Sequence, residues 1–205
     1  FDGVIVDSEI LASKAFYNYF LNQGLKLKEK DFYNYAGMKT VQVIDILSLK
    51  YQVKNKKKFS SDIFELISRI YTKELKLVDG FKAFINNSKR NHFIGSNSNK
   101  DRIISGLNIV GMAEMFINKN IYSFDMVKNP KPHPDIYLKI IDDNKLKLDE
   151  TIIIEDSSIG VRAGSLAGAK VFGLTAGQHW YLNRDKNELY DNGAINVFDD
   201  YNSLS

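Results

Sequence analysis

The chain has 205 residues, enough for one large domain or a core domain carrying a smaller insert, and no run of about eighteen apolar residues marks a membrane span. With no cysteine it can form neither disulfides nor thiolate metal sites, and three histidines (His92, His133 and His179) are too few for a histidine-rich one. The net charge of +3 comes from scattered lysines rather than a basic face, which argues against nucleic acid and suits a small anionic substrate.

From Ser8 to Leu77 the pattern is helical. Leu11, Ala15, Tyr19 and Phe20 share one face of a first helix, and Gly24 stands where a glycine ends one. Residues 28–35 and 41–51 read as two more helices, separated by Gly37. The dense run Lys54-Asn55-Lys56-Lys57-Lys58 reads as a solvated loop or helix end. Asp62-Ile63-Phe64-Glu65 reads as a helix start, with Asp62 as cap and Ile63, Leu66, Ile67 and Ile70 turned inward. No strand pattern interrupts this stretch.

After Asp79-Gly80 the pattern alternates. Short apolar runs at 92–95, 120–122, 151–154, 170–174 and 194–198 read as strands, with helices at 101–110, 134–141 and 159–167. Thr151-Ile152-Ile153-Ile154 is apolar on both faces, as expected of a strand buried between helix layers. Strand and helix in alternation imply right-handed crossovers and a parallel sheet. The opening FDGVIVD belongs with this half. The expected architecture is a doubly wound, Rossmann-like α/β core of residues 1–8 and 78–205, carrying an inserted α-helical domain of residues 9–77.

Ligands of open parallel sheets bind beyond the carboxyl ends of the strands. The polar stretches at or just past those ends are Asp2-Gly3, Ser96-Asn97-Ser98, Lys131-Pro132-His133-Pro134-Asp135 and Glu155-Asp156-Ser157-Ser158. Carboxylates alone make a hard, oxygen-only site suited to Mg²⁺. Lys131 and the Ser96-Asn97 turn are what a phosphate needs on its other side. At an effective dielectric of about 20, a unit-charge contact near 4 Å is worth roughly 4 kcal/mol before desolvation. A phosphate dianion facing this rim therefore requires both the cation and Lys131. Each piece has a plainer reading. Glu155-Asp156 suits a helix N-terminus, Ser96 and Asp7 or Ser8 suit helix caps, and Lys131 suits an exposed loop. Their joint occurrence, each after a strand, carries the functional reading. His179, Trp180 and Tyr181 come after the 170–174 strand, where an aromatic cluster either stacks on a sugar or, the simpler expectation, packs a surface loop.

Four stretches, FDGVIVDSE, IGSNS, KPHPD and IIIEDSSIGVRAG, resemble the haloacid dehalogenase superfamily in their order and span the chain. The resemblance is to the branch with a helical cap inserted after the first motif, which holds β-phosphoglucomutase-like proteins and sugar-phosphate phosphatases. In that family the first motif is Asp-x-Asp-Gly. Its first Asp attacks phosphorus, and its second protonates the leaving alcohol and then activates water. Asp2 matches the second, so the resemblance expects the nucleophilic Asp, and the strand supporting it, just before Phe1. It further implies that Ser96, the Asn97 amide and Lys131 bind the phosphoryl group. Glu155, Asp156 and the Asp2 carbonyl would hold Mg²⁺, and His133 has no implied role.

The expected activity is Mg²⁺-dependent hydrolysis of a small phosphorylated metabolite, a sugar phosphate, through an aspartyl-phosphate, with Asp2, Lys131 and Ser96 as catalytic residues and the cap closing over the substrate. A mutase of the same branch is the near alternative. Its cap loop usually carries an arginine, whereas Tyr35-Ala36-Gly37-Met38-Lys39-Thr40 offers only Lys39 as a substrate contact. Asp2 and the Glu155-Asp156 pair argue against a metal-free dehalogenase, and Asp2 against a phosphonate hydrolase. An inactive protein that binds Mg²⁺ and phosphate is the alternative of another class, should the nucleophile be absent. The remaining expectations are a cytoplasmic monomer or weak homodimer without nucleic-acid or membrane partners.

Overall fold

Aromatic residues recurring at three and four positions build one part of the molecule, and short β-branched runs build the other. The computed structural model describes residues 1–35, 38, 40–180 and 184–204. The chain divides into two compact units, Asp7–Lys76 and Phe1–Val6 with Leu77–Ser205.

The helical unit contains α1 (Glu9–Asn22), a 3₁₀ segment (Glu29–Tyr35), α2 (Thr40–Lys50) and α3 (Lys56–Glu74). Phe16, Phe20, Phe32 and Phe59 are almost wholly buried, with the Phe20 and Phe59 ring centroids 5.4 Å apart. Helix α1 ends at Gln23, and Gly24 follows with φ +82°, the left-handed turn expected there. Ser8 occupies the N-cap position of α1, but its side chain makes no capping bond. The 28–35 segment is a 3₁₀ rather than an α-helix. The Asp31 carboxylate accepts from the Lys28 amide at 2.9 Å, and the Asp31 amide donates to the Lys28 carbonyl at the same distance, which tightens the turn.

Helix α3 starts earlier than Asp62. Asn55 caps it, its side chain accepting from the Lys58 amide at 3.0 Å. The lysine run therefore enters the first turn. Asp62 lies inside the helix, one turn on from Lys58, whose ammonium reaches both its oxygens at 2.9 Å.

The α/β unit contains α4 (Phe81–Asn87), β1 (Ile94–Ser96), α5 (Lys100–Ile109), β2 (Ile121–Ser123), α6 (Asp135–Asn144), β3 (Ile152–Glu155), α7 (Ser158–Leu166), β4 (Lys170–Leu174), α8 (Asn187–Tyr190) and β5 (Asn196–Phe198). All strand pairs are parallel, in two sheets ordered β1-β2 and β3-β4-β5. Strand β3 is covered less evenly than its sequence suggests. Ile153 is buried with Ile136, Ile140, Val161 and Val171, whereas Ile152 is 39% exposed. Its apolar run reflects β propensity at the strand's outer end as well as burial.

The opening residues form a tight turn rather than a strand. Asp2 bridges Val6 in parallel, Val6 bridges Leu77, and the Gly3 amide donates to the Val6 carbonyl at 2.8 Å. From the other end of the chain, the buried Tyr201 hydroxyl donates to the Val4 carbonyl at 2.6 Å and fixes this turn. Among the described residues no helix is long and apolar enough to cross a membrane.

Candidate active site

The polar residues stand at the carboxyl ends of strands in both sheets, and Lys131 joins those ends through Gly95 and Glu155. Ser96 ends β1 opposite Ser123, and Glu155 ends β3 opposite Gly173. Asn99, not Ser96, caps α5 by accepting from the Arg102 amide at 2.8 Å. Ser157 caps α7 by accepting from the Gly160 amide at 3.2 Å. The capping alternative for Ser96 is thus taken by Asn99, while Glu155 and Asp156 stand just before Ser157 at the N-terminus of α7, where the macrodipole favours negative charge. The Ser96 hydroxyl, 5% exposed, accepts from the Ser98 amide at 3.0 Å.

Lys131 is not a surface lysine. Its side chain is 7% exposed, its ammonium donates to the Gly95 carbonyl at 2.8 Å, and it is paired with the Glu155 carboxylate. The Asn97 side chain holds the lysine's backbone at both ends. Its oxygen accepts from the Lys131 amide at 3.0 Å, and its nitrogen donates to the Lys131 carbonyl at 3.1 Å. The Lys131-Pro132 peptide is cis.

Glu155 receives a second hydrogen bond from the Tyr137 hydroxyl of α6. The Glu155 carboxyl lies below its ordinary value: burial pushes it up, and against this act the nearby positive charges, the Lys131 ammonium foremost, and the hydrogen bonds from Lys131 and Tyr137. Burial and the Glu155 charge push the Tyr137 hydroxyl far upward, so it stays a donor. A Cβ at Gly160 would fall 2.1 Å from the Glu155 carboxyl carbon, so the missing side chain there makes room for this carboxylate.

Asp2 lies on the same rim. Its carboxylate accepts from the Ser98 hydroxyl at 2.7 Å and faces the Arg102 guanidinium at 3.2 Å. Gly3, at φ +73°, turns the chain away, and a Cβ there would fall 1.9 Å from Asp156 Oδ2. Asp156 also meets His179, whose Nε2 is 2.9 Å from Oδ2 without hydrogen-bond alignment. The Trp180 indole donates to the Asp156 carbonyl at 3.1 Å.

Asp2, Ser96, Asn97, Lys131, Glu155 and Asp156 all belong to the α/β unit, joined by these contacts, while Lys39 lies outside the described residues. Sequence reasoning assigns no role at the rim to Tyr137, Ser98 or Arg102, and places His179 only in an aromatic cluster. Tyr137 hides in the apolar face of α6, where only its hydroxyl signals a need for a partner. His179 is 1% exposed, whereas Trp180 is half-buried and packs against the core of the α/β unit; Tyr181 is outside the described residues.

The donors on this rim are carboxylate and carbonyl oxygens, the chemistry of Mg²⁺. Among the described residues, no three His, Asp or Glu side chains cluster to hold a metal by themselves. The Glu155 and Asp156 carboxylates offer oxygen donors only, and so small a protein donor set suits an ion that keeps waters and takes a substrate oxygen, as Mg²⁺ does.

Known proteins resemble this chain along most of its length. The chain is 26% identical over 180 residues to the 6-phosphogluconate phosphatase of Escherichia coli K12, covering 87% of this chain and 81% of that protein. It is 23% identical over 199 residues to a phosphorylated carbohydrates phosphatase of Thermotoga maritima, covering 95% and 89%. The fold superposes with a TM-score of 0.85 on a haloacid dehalogenase-like protein of Agrobacterium tumefaciens, at 27% identity over 99% of this chain and 92% of that one. A sequence profile of the haloacid dehalogenase-like hydrolases matches residues 1–174, and the chain belongs to that family.

Proposed function

We propose that the protein is a Mg²⁺-dependent phosphatase of a small phosphorylated carbohydrate, acting through an aspartyl-phosphate. The observation that carries this reading is the buried Lys131 ammonium, held between the Gly95 carbonyl and Glu155 on the rim that also bears Asp2. A buried cation among carboxylates is arranged for an anion that arrives with its own charge to balance.

In the proposed reaction Lys131, the Ser96 hydroxyl and the Asn97 amide bind the phosphoryl oxygens. Glu155, Asp156 and the Asp2 carbonyl would hold Mg²⁺, which when bound would neutralise phosphoryl oxygens and align the group for in-line attack. The attacking group is the first aspartate of the Asp-x-Asp-Gly motif whose second aspartate Asp2 matches. Asp2 protonates the departing sugar oxygen, and its carboxylate then takes a proton from the water that cleaves the aspartyl-phosphate. Ser98 and Arg102 fix the Asp2 oxygens for both transfers. The names of the two curated relatives support a phosphorylated carbohydrate as substrate.

The test is phosphate release from a panel of sugar phosphates, 6-phosphogluconate included, with Mg²⁺ and again with excess chelator. Release that the chelator abolishes is the expected result. No release from any of them at saturating Mg²⁺ contradicts the proposal.

A further inference from the structure

His179 has no part in the proposed reaction, yet it is among the most buried polar side chains of the α/β unit. A histidine at 1% exposure carries two ring nitrogens that need partners, and neither makes an aligned hydrogen bond. Nε2 nevertheless lies 2.9 Å from Asp156 Oδ2. The ring is wedged between two glycines. A Cβ at Gly177 would stand 2.7 Å from its Nδ1, and one at Gly3 would stand 2.9 Å from its Cε1. Gly3 adjoins Asp2 in sequence, and a Cβ at Gly177 would also come 3.2 Å from the Gly3 carbonyl oxygen. The turn after β4, the opening turn and the carboxylate after β3 therefore meet at one imidazole.

From this juxtaposition we infer that His179 is a positioning residue for Asp156: it holds Oδ2 against the Gly3 backbone so that Oδ1 is presented to the divalent cation. The inference rests on the proposed metal-dependent reading of the rim. Its physical basis is general. A carboxylate that is free to rotate loses entropy when it ligates, and a neighbour that fixes one oxygen removes that cost before the ion arrives. The Trp180 indole, donating to the Asp156 carbonyl, fixes the backbone of the same residue, so His179 and Trp180 divide the orientation of side chain and main chain. Glu155 needs no such support, because Lys131 and Tyr137 already hold it.

The test compares the purified protein with His179→Ala and His179→Gln, the second keeping an N–H donor near the Nε2 position. Mg²⁺ binding is measured by calorimetry without substrate, melting temperature is measured without metal, and phosphate release is followed against Mg²⁺ concentration. For His179→Ala the expected result is a rise of about 10–100-fold in the Mg²⁺ dissociation constant, with turnover largely recovered at saturating Mg²⁺. His179→Gln is expected within about threefold of wild type, a small part of that penalty. If both variants bind Mg²⁺ as the wild type does, or if affinity falls only in proportion to a lost fold seen in metal-free melting and Gln does not rescue it, the inference is overturned. If the wild type itself neither binds Mg²⁺ nor releases phosphate, the reading of the whole rim fails, and the role of His179 with it.

Discussion

The two units bury their centres by different means. In the helical unit the interior is aromatic, with Phe16, Phe20, Phe32 and Phe59 packed ring against ring, and its ion pairs, such as Lys58 with Asp62, lie at the surface. In the α/β unit the rim buries charge, with Lys131 and Glu155 side chains 7% and 6% exposed. Apolar burial is non-directional, so a change costs roughly in proportion to the volume removed. Buried charge is directional and paired, so a change costs according to what is left without a partner. A fold can tolerate the second kind of interior where function requires it, and the helical unit shows what the same chain does where it is free to choose the first.

The largest effect should come from breaking the buried pair. Lys131→Met leaves Glu155 buried without its cation, and is expected to lower stability by about 3–5 kcal/mol in urea unfolding and to abolish phosphate release. Lys131→Met with Glu155→Gln should recover most of the stability and none of the activity. A pH series sharpens this. Glu155 is held below its ordinary value of 4.5 in the folded state, so its contribution is fully present above 4.5 and is lost as the pH falls through the folded value. The wild type should therefore weaken on acidification below about 4.5 more steeply than the double variant, in which that linkage is gone.

Phe59→Ala probes the other interior. It should cost about 3–5 kcal/mol by the cavity it opens, while Phe59→Leu, which keeps most of the volume, should cost less than about 1.5 kcal/mol. Neither should change the Mg²⁺ affinity of the folded protein. A charge lost from the rim has no such graded series, and that contrast is the sharper form of the comparison. The smallest effect expected is at the start of α3, where Asn55→Ala removes the side chain that caps Lys58 and should cost about 1 kcal/mol.

Much of the fold was legible because its signals are local. Every predicted strand after residue 90 appears within two residues at either end, and the helical stretch from Ser8 onward contains no strand among the described residues. The errors were also local. Asp62 resembles a cap because an acidic residue precedes an apolar run, but Asn55, seven residues earlier, is the side chain that accepts from the Lys58 amide. The 28–35 segment reads as a helix, and its 3₁₀ form becomes plain only where the Asp31 side chain bonds the Lys28 amide. The rim residues were visible as polar groups after strands. What sequence could not show was who partners whom. Tyr137 and Glu155 are joined only because α6, packed on β1 and β2, brings its hydroxyl to the end of β3, and His179 and Asp156 by the meeting of two turns. Those contacts depend on tertiary placement, which no periodicity encodes.

The measurement that bears most directly on the account is the turnover of Asp2→Asn beside the wild type, at saturating Mg²⁺ and with the best sugar phosphate of the panel. The amide can neither give nor recover a proton, so turnover should fall by about 10²–10⁴-fold while phosphate and Mg²⁺ still bind. Turnover near that of the wild type would contradict the assignment of Asp2, and with it the proposed two-step chemistry of this rim.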